Sequence, residues 1–218
     1  MLKIGVLASG RGSNFQAIIN AVKTGYLKAR VEVLITDNSA AYAIKRADDN
    51  GIAGLVMRPA DYASPDTYYE AVADELVKRG VGLVVLAGFM RVVRKPLIDL
   101  FPMSIMNIHP ALLPSFPGLH AQRQAISYGV KISGCTVHFV DEGMDTGPVI
   151  IQAAVPVYCD DTEESLSERI LEYEHRIFPY AIRLFAEGRL EVKGRVVRIQ
   201  GQVKDKDVVV NPPLAKGD

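Results

Sequence analysis

Through its first half this chain alternates short, largely apolar runs with amphipathic helical stretches, and few architectures accept that order. Apolar runs at 2–8, 31–36, 53–57 and 83–86 are followed by helical patterns at 13–24, 40–50, 64–79 and 95–100. A strand that is apolar at every position, rather than every second one, has both faces buried. Such strands, separated by helices, build a parallel sheet with helices on both faces. Local punctuation agrees with this reading. Gly25, Gly51 and Gly80 close three of the helical stretches. Ser64-Pro65-Asp66 combines a capping residue, a proline at the first helical position and an acid in the first turn.

The second half changes character. Ser104-Ile105-Met106 predicts a fifth strand ending at Asn107. The 110–118 stretch carries Pro110, Pro114 and Pro117 without any period, which predicts a structured loop. A helix at 120–128 ends at Gly129, and strands at 133–140 and 149–157 flank an Asp/Gly-rich segment. A long helix is expected over 165–187, bent at Pro179. From Leu190 the tail holds short strand-like pieces and should fray after Pro212-Pro213. The expected fold is one α/β domain: a mostly parallel sheet, with an antiparallel C-terminal part.

Charge narrows the function. Lys and Arg together number 25, as do Asp and Glu. That balance argues against nucleic-acid binding, which calls for a basic stripe. No apolar run approaches the roughly 20 residues of a membrane span, so no membrane association is expected. Cys135 and Cys159 form no disulfide framework, and the start at Leu2 lacks a secretion signal. A cytoplasmic location is the expectation.

Asn107 and His109 are two apart at the end of the predicted fifth strand, so their side chains leave one face. In open parallel sheets that end is where ligands bind. An amide can donate to a developing oxyanion, an imidazole can move a proton, and a carboxylate can orient the imidazole. Asp145, in the glycine-flanked 141–148 segment, is the candidate carboxylate. A buried histidine with an unrelated loop acid is the plainer alternative.

Ser9-Gly10-Arg11-Gly12-Ser13-Asn14 lies between the first strand and first helix. Glycines allow close backbone approach, and a helix start offers free N–H groups, which suits a phosphate. Phe15 stands where a dinucleotide fingerprint needs its third glycine, although Asp37 partly imitates the ribose-binding acid of that fingerprint. A monophosphate fits better than a dinucleotide, and a plain tight turn remains open. His109, His138 and Asp145 match no familiar zinc spacing, so no metal is expected. Cys135 and His138 are three apart on a predicted strand and point to opposite faces, a poor nucleophile pair. The segment 86–93 could form a flat-ring pocket or simple core. Glu174, within Glu172-Tyr173-Glu174-His175, reads from spacing as part of a solvated helix face.

Taken together, Asn107-Ile108-His109-Pro110, Leu112-Leu113-Pro114, Pro117-Gly118, 134–140 and Asp145-Thr146-Gly147-Pro148 resemble the folate-dependent formyltransferases. The resemblance is closer to the phosphoribosylglycinamide formyltransferase family, whose other marks are Ser9 to Asn14, Leu86 to Arg91 and Glu174-His175. It covers residues 2 to about 190 and implies a Rossmann-like formyltransferase domain over 1–218. That domain would hold a phosphate-binding half at 1–100, a catalytic and folate-binding half at 101–190 and a tail at 191–218. It implies 10-formyltetrahydrofolate as donor and 5-phosphoribosyl-glycinamide as acceptor, in purine biosynthesis. It further implies Asn107, His109 and Asp145 as catalytic residues, and Gly12, Ser13, Asn14 and Glu174 around the ribonucleotide. Met90, Arg91, Val92 and Val93, with Asp141, Glu142, Gly143, Met144 and Asp145, and Asn107 again, would contact the folate. The Leu113-Pro114 bond should be cis, and a homodimer is left open. Pro65 and Leu171 stand where some relatives carry an Arg and a polar residue, which touches the folate-tail and one sugar contact.

The implied chemistry is direct attack by the substrate amine. Asn107 and protonated His109 would stabilise the oxyanion, and Asp145 would raise the His109 pKa and help pass a proton. Three other readings compete. A methionyl-tRNA formyltransferase would need a tRNA-binding domain and a basic surface. A formyltetrahydrofolate hydrolase would carry an N-terminal regulatory domain. A non-catalytic or NAD-dependent nucleotide-binding protein would rest on Gly10, Gly12 and Asp37.

Overall fold

The computed structural model describes residues 1–201. The alternating first half is Leu2–Leu7 (β1), Ser13–Lys23 (α1), Ala29–Thr36 (β2), Tyr42–Asp48 (α2), Ala53–Val56 (β3), Pro65–Lys78 (α3), Leu83–Leu86 (β4), Lys95–Leu100 (α4) and Ile105–His109 (β5). Ala121–Tyr128 (α5), Ile132–Phe139 (β6), Val149–Pro156 (β7), Glu163–Ala186 (α6), Leu190–Lys193 (β8) and Val196–Ile199 (β9) follow. All described strands join one sheet in the order β3-β2-β1-β4-β5-β6-β7-β9-β8. The pairs β3–β2, β2–β1, β1–β4 and β4–β5 are parallel, whereas β5–β6, β6–β7 and β8–β9 are antiparallel. The chain is thus a single α/β domain whose sheet passes from parallel to antiparallel pairing at β5.

Strand alternation divides the core in two. Ile4, Val6, Leu83 and Val85 pack on the side of Phe15 and Ile18 from α1 and Ile170 and Phe178 from α6. Leu7, Val84 and Leu86 pack on the other side, with Tyr68 and Val72 from α3 and Leu97 from α4. This two-sided burial is why β4 is apolar at every position, each large side chain stabilising by roughly 1.5–3 kcal/mol. Gly5 lets α3 come down on β1: a Cβ there would stand 2.2 Å from Leu76 Cδ2.

Several boundaries differ from the sequence expectation, and four of them have a clear cause. β2 starts earlier, at Ala29, because Ala29 and Arg30 pair with Leu2 and Lys3. α2 starts later, at Tyr42, because the Asn38 side chain accepts the Ala40 N–H (3.0 Å) and holds the preceding residues in a turn. β5 runs on to His109, carried by antiparallel pairs Asn107↔His138 and His109↔Thr136 with β6. α6 starts at Glu163 rather than 165, because Thr162 caps it: its hydroxyl accepts the Ser165 N–H (3.2 Å), and Ser165 Oγ accepts the Thr162 N–H (3.0 Å). The same capping box closes Ser64 and Thr67 at α3. α6 continues through the buried Pro179. The strand-like tail is the β8–β9 hairpin; the expectation for 212–218 lies outside the described residues.

The parallel order places a switch point between β1 and β4, since β1 pairs with β2 on one side and β4 on the other. Connections leave in opposite directions there, opening a crevice at the strands' C-terminal ends. The Ser9 N–H donates to the Gly88 carbonyl (3.0 Å), and the Met90 N–H donates to Ser9 Oγ (3.1 Å), so the turns after β1 and β4 are tied together.

Candidate active site

Beside that crevice, β5 delivers Asn107 and His109, and the loop after β6 delivers Asp145. Asp145 holds a left-handed backbone (φ 53°), a conformation that Asp tolerates better than most residues. This aims its carboxylate back at β5. Asp145 Oδ2 accepts the Gly118 N–H (2.8 Å) and lies 3.4 Å from His109 Nδ1. Asp145 Oδ1 lies 3.4 Å from Asn107 Nδ2 and 3.6 Å from His138 Nε2. The Leu113-Pro114 bond in the intervening loop is cis, as the resemblance implies.

His138 is the group that sequence reasoning left undecided between lining a pocket and packing. It sits directly across from Asn107. Its Nδ1 lies 2.7 Å from the Phe139 carbonyl, which makes Nδ1 the protonated nitrogen and leaves Nε2 to accept from Asn107 Nδ2 at 3.2 Å. Only the β5–β6 register could have revealed this. Both amide hydrogens of Asn107 are therefore engaged, the contact to Asp145 being the longer.

The electrostatics correct one expectation. Burial pulls the His109 pKa below the usual imidazole value; Asp145 and the Phe116 carbonyl push it back up, but burial wins. His109 Nε2 donates to the Phe116 carbonyl at 2.8 Å. The resting ring is then neutral near pH 7, with the Nδ1 lone pair toward Asp145. For Asp145, burial raises the pKa, but its hydrogen bonds, the Gly118 N–H among them, outweigh it and hold the carboxyl below its usual value. The site thus pairs a carboxylate with an imidazole ready to take a proton.

The glycine turn leaves backbone amides free, as an anion site would. Gly12 takes a left-handed conformation (φ 68°), and a Cβ there would stand 2.9 Å from Ala43 Cβ. No side chain caps α1. The first helical bond is Gln16 N–H to the Gly12 carbonyl (2.9 Å), so the amides of Ser13, Asn14 and Phe15 are those a helix start leaves over. Under this turn, Asn14 Nδ2 donates to Glu174 Oε2 at 2.7 Å, and both residues are only 7% exposed. Glu174 is buried, not on a solvated face. Burial raises its pKa, and the Asn14 amide only partly offsets this. Asn14 Oδ1 is buried without a hydrogen-bond partner.

The segment after β4 divides by role. Met90 and Val92 are exposed, while Val93 is core. The Val92 carbonyl accepts from the Tyr69 hydroxyl at 2.8 Å. Arg91 Nε donates to Asp37 Oδ2 at 2.5 Å, and Asp37 Oδ1 is buried without a hydrogen-bond partner. In the loop after β6, Asp141 Oδ1 accepts from the Gly143 N–H (3.1 Å) and the Thr146 hydroxyl (2.6 Å). Glu142 faces Lys95 at 3.5 Å, bringing this loop to the start of α4, and Met144 is exposed. Met90, Val92 and Met144 offer apolar surface, as a flat ring would require.

Among the described residues, no group of three His, Cys, Asp or Glu side chains is arranged to hold a metal ion. Cys135 is buried and its thiol is pushed up to about 12, chiefly by burial, so it is no nucleophile. No helix among the described residues is long and apolar enough to cross a membrane.

Comparison with known proteins gives a consistent result. The phosphoribosylglycinamide formyltransferase of Escherichia coli (strain K12) is 39% identical over 201 residues, covering 92% of this chain and 95% of that protein. The trifunctional purine biosynthetic protein adenosine-3 of Drosophila melanogaster is 45% identical over 188 residues, 85% of this chain but only 14% of the length of that protein. A crystal structure of glycinamide ribonucleotide transformylase 1 from Symbiobacterium toebii superposes with a TM-score of 0.90 at 56% identity, covering 91% of this chain and 94% of the other. Residues 2–182 match the formyl transferase family, and the chain belongs to that family.

Proposed function

We propose that this protein transfers the formyl group of 10-formyltetrahydrofolate to the amino group of 5-phosphoribosyl-glycinamide, a cytoplasmic step of purine biosynthesis. The observation that carries the proposal is the convergence of Asp145 on Asn107, His109 and His138 at one end of the sheet, next to the uncapped glycine turn. The names of the relatives support formyl transfer to the same ribonucleotide. The Ser13 and Asn14 amides, with Gly12, would hold the phosphate, and Glu174 with the unpartnered Asn14 Oδ1 would meet the sugar and glycinamide groups. Met90, Val92 and the 141–145 loop would flank the pterin ring. Arg91 would contribute backbone, since its guanidinium is bound to Asp37.

The acceptor amine should titrate as an α-amino group, with a pKa of about 7.7–8.0. A useful fraction is neutral near pH 7.5 and attacks without a strong base. As it attacks, negative charge grows on the formyl oxygen. Asn107 exchanges its long contact with Asp145 for that oxygen, keeping His138 as its orienting acceptor. His109, neutral at rest, takes up the proton shed by the attacking nitrogen. The imidazolium then stands 3.4 Å from Asp145, donates toward the oxyanion and returns the proton to the departing folate nitrogen. Positive charge is thus created only when negative charge develops, which favours the transition state over the ground state. No covalent intermediate on the protein is needed.

The test is formyl transfer with both substrates supplied, followed by absorbance of the released folate. Asn107→Ala and His109→Ala should fold yet lose about 10²–10³ in turnover, as removal of an oxyanion donor typically does. Near-normal turnover in both variants removes the proposal. Formate release without ribonucleotide would instead favour the hydrolase reading.

A further inference from the structure

We propose that Arg46, on α2, positions the anion-binding turn and thereby sets the affinity for the phosphate-bearing substrate; this rests on the ribonucleotide reading above. Arg46 Nε donates to the Arg11 carbonyl at 2.9 Å. Its Nη1 donates to Gln16 Oε1 on α1 at 3.0 Å, and the guanidinium lies 5.0 Å from the centre of the Tyr42 ring. One turn earlier on α2, the Ala43 N–H donates to the Gly10 carbonyl at 3.1 Å. The Gly10 and Arg11 carbonyls are therefore both drawn to α2.

A trans peptide carries its C=O and the following N–H on opposite edges of one plane. Holding the Arg11 carbonyl against α2 turns the Gly12 N–H away from α2. Holding the Gly10 carbonyl does the same for the Arg11 N–H. Without these holds the turn is tied only at its Ser9 end. It is flanked by Gly10 and Gly12, no side chain caps α1, and glycine accepts many backbone conformations. A flipped peptide would present a carbonyl where the anion needs a donor. Arg46 suits the task because its rigid fork bridges a backbone carbonyl and a side-chain amide at once; a lysine ammonium lacks that geometry. Gly12 also packs on Ala43 with no room for a Cβ, so α2 fixes the turn by contact as well as by hydrogen bonds.

The test compares wild type with Arg46→Ala and Arg46→Lys in two assays. Calorimetry measures binding of ribose 5-phosphate, independently of turnover. Steady-state kinetics measures both Michaelis constants and kcat. Loss of the exposed bond to the Arg11 carbonyl together with the part-buried bond to Gln16 predicts a rise of about tenfold in the ribose 5-phosphate Kd and the ribonucleotide KM of Arg46→Ala. Arg46→Lys should keep at least about half of that rise on a logarithmic scale, because charge without the fork does not hold the peptide. The formyl-folate KM and saturated kcat should stay within about twofold, a split that general loosening of the fold would not produce. Full recovery in Arg46→Lys, equal rises in both Michaelis constants, or unchanged ribose 5-phosphate binding would overturn the assignment. If Arg46 controls ribose 5-phosphate binding but the wild type transfers no formyl group, the catalytic reading falls and the Arg46 assignment stands.

Discussion

Replacing Asp145 by Asn is the sharpest perturbation of the proposed mechanism. The change preserves shape, and the amide oxygen can still accept the Gly118 N–H that now bonds Oδ2 at 2.8 Å. What disappears is the negative charge 3.4 Å from His109 Nδ1. A pair of unit charges at that distance attracts by about 5 kcal/mol at an effective dielectric of 20 and about 1 kcal/mol in bulk water. The Asp145 side chain is 13% exposed, so the value lies between these limits, about 2–4 kcal/mol. Before reaction His109 is neutral and this attraction is absent. It appears as the imidazolium forms, so nearly all of it falls on the barrier. At about 1.4 kcal/mol per tenfold, kcat should drop by about 30-fold to about 10³-fold. Stability should move far less, because the amide keeps the acceptor role. The assay is saturated turnover by folate absorbance, with thermal unfolding alongside. A folded Asp145→Asn variant within about threefold of wild-type kcat would refute the idea that this carboxylate stabilises a transient imidazolium.

Two further outcomes follow from the burial of charge. Glu174→Gln should stabilise the protein at neutral pH by about 1 kcal/mol, or roughly 2–4 °C in Tm, while weakening ribonucleotide binding. The folded Glu174 pKa is raised, so its contribution is favourable in acid and is lost as pH climbs through that value; a glutamine amide avoids this and can donate to the unpartnered Asn14 Oδ1. A lower Tm at pH 7.5 would sink this prediction. His175, whose pKa is lowered by burial and then by Arg46, binds fewer protons folded than unfolded below about pH 6.5. Stability should therefore fall as pH drops through that window, and the loss between pH 7.5 and 5.5, read from urea midpoints, should be smaller in His175→Gln. An equal loss in both proteins would remove His175 as its source.

Much of the architecture is legible along the chain, because burial on two faces leaves a mark at every strand position. The apolar runs at 4–7 in β1, 33–35 in β2 and 83–86 in β4 belong to covered strands, and the Ser64-Pro65-Asp66 start of α3 needs nothing beyond local capping chemistry. Where local signals and pairing disagreed, pairing prevailed. β5 gains His109 because β6 lies antiparallel beside it, and no residue within β5 announces that neighbour. Asn107 and His109 show their shared face through a spacing of two. Their engagement with His138 and Asp145 depends on the β5–β6 register and on one left-handed residue in a loop.

Glu174 marks the boundary between the two kinds of information. From helical spacing it belongs to a polar cluster, yet the packing of α6 on α1 buries it against Asn14 and shifts its protonation. The same holds for His109, where sequence allowed a charged ring beside an acid and burial made it neutral. Amino-acid order by itself determined the parallel α/β layering, the glycine turn ahead of α1 and the chemical groups on offer, since these rest on periodicity and local backbone preference. Tertiary structure alone decided which groups meet and in what charge state, because desolvation and hydrogen-bond geometry depend on neighbours distant along the chain.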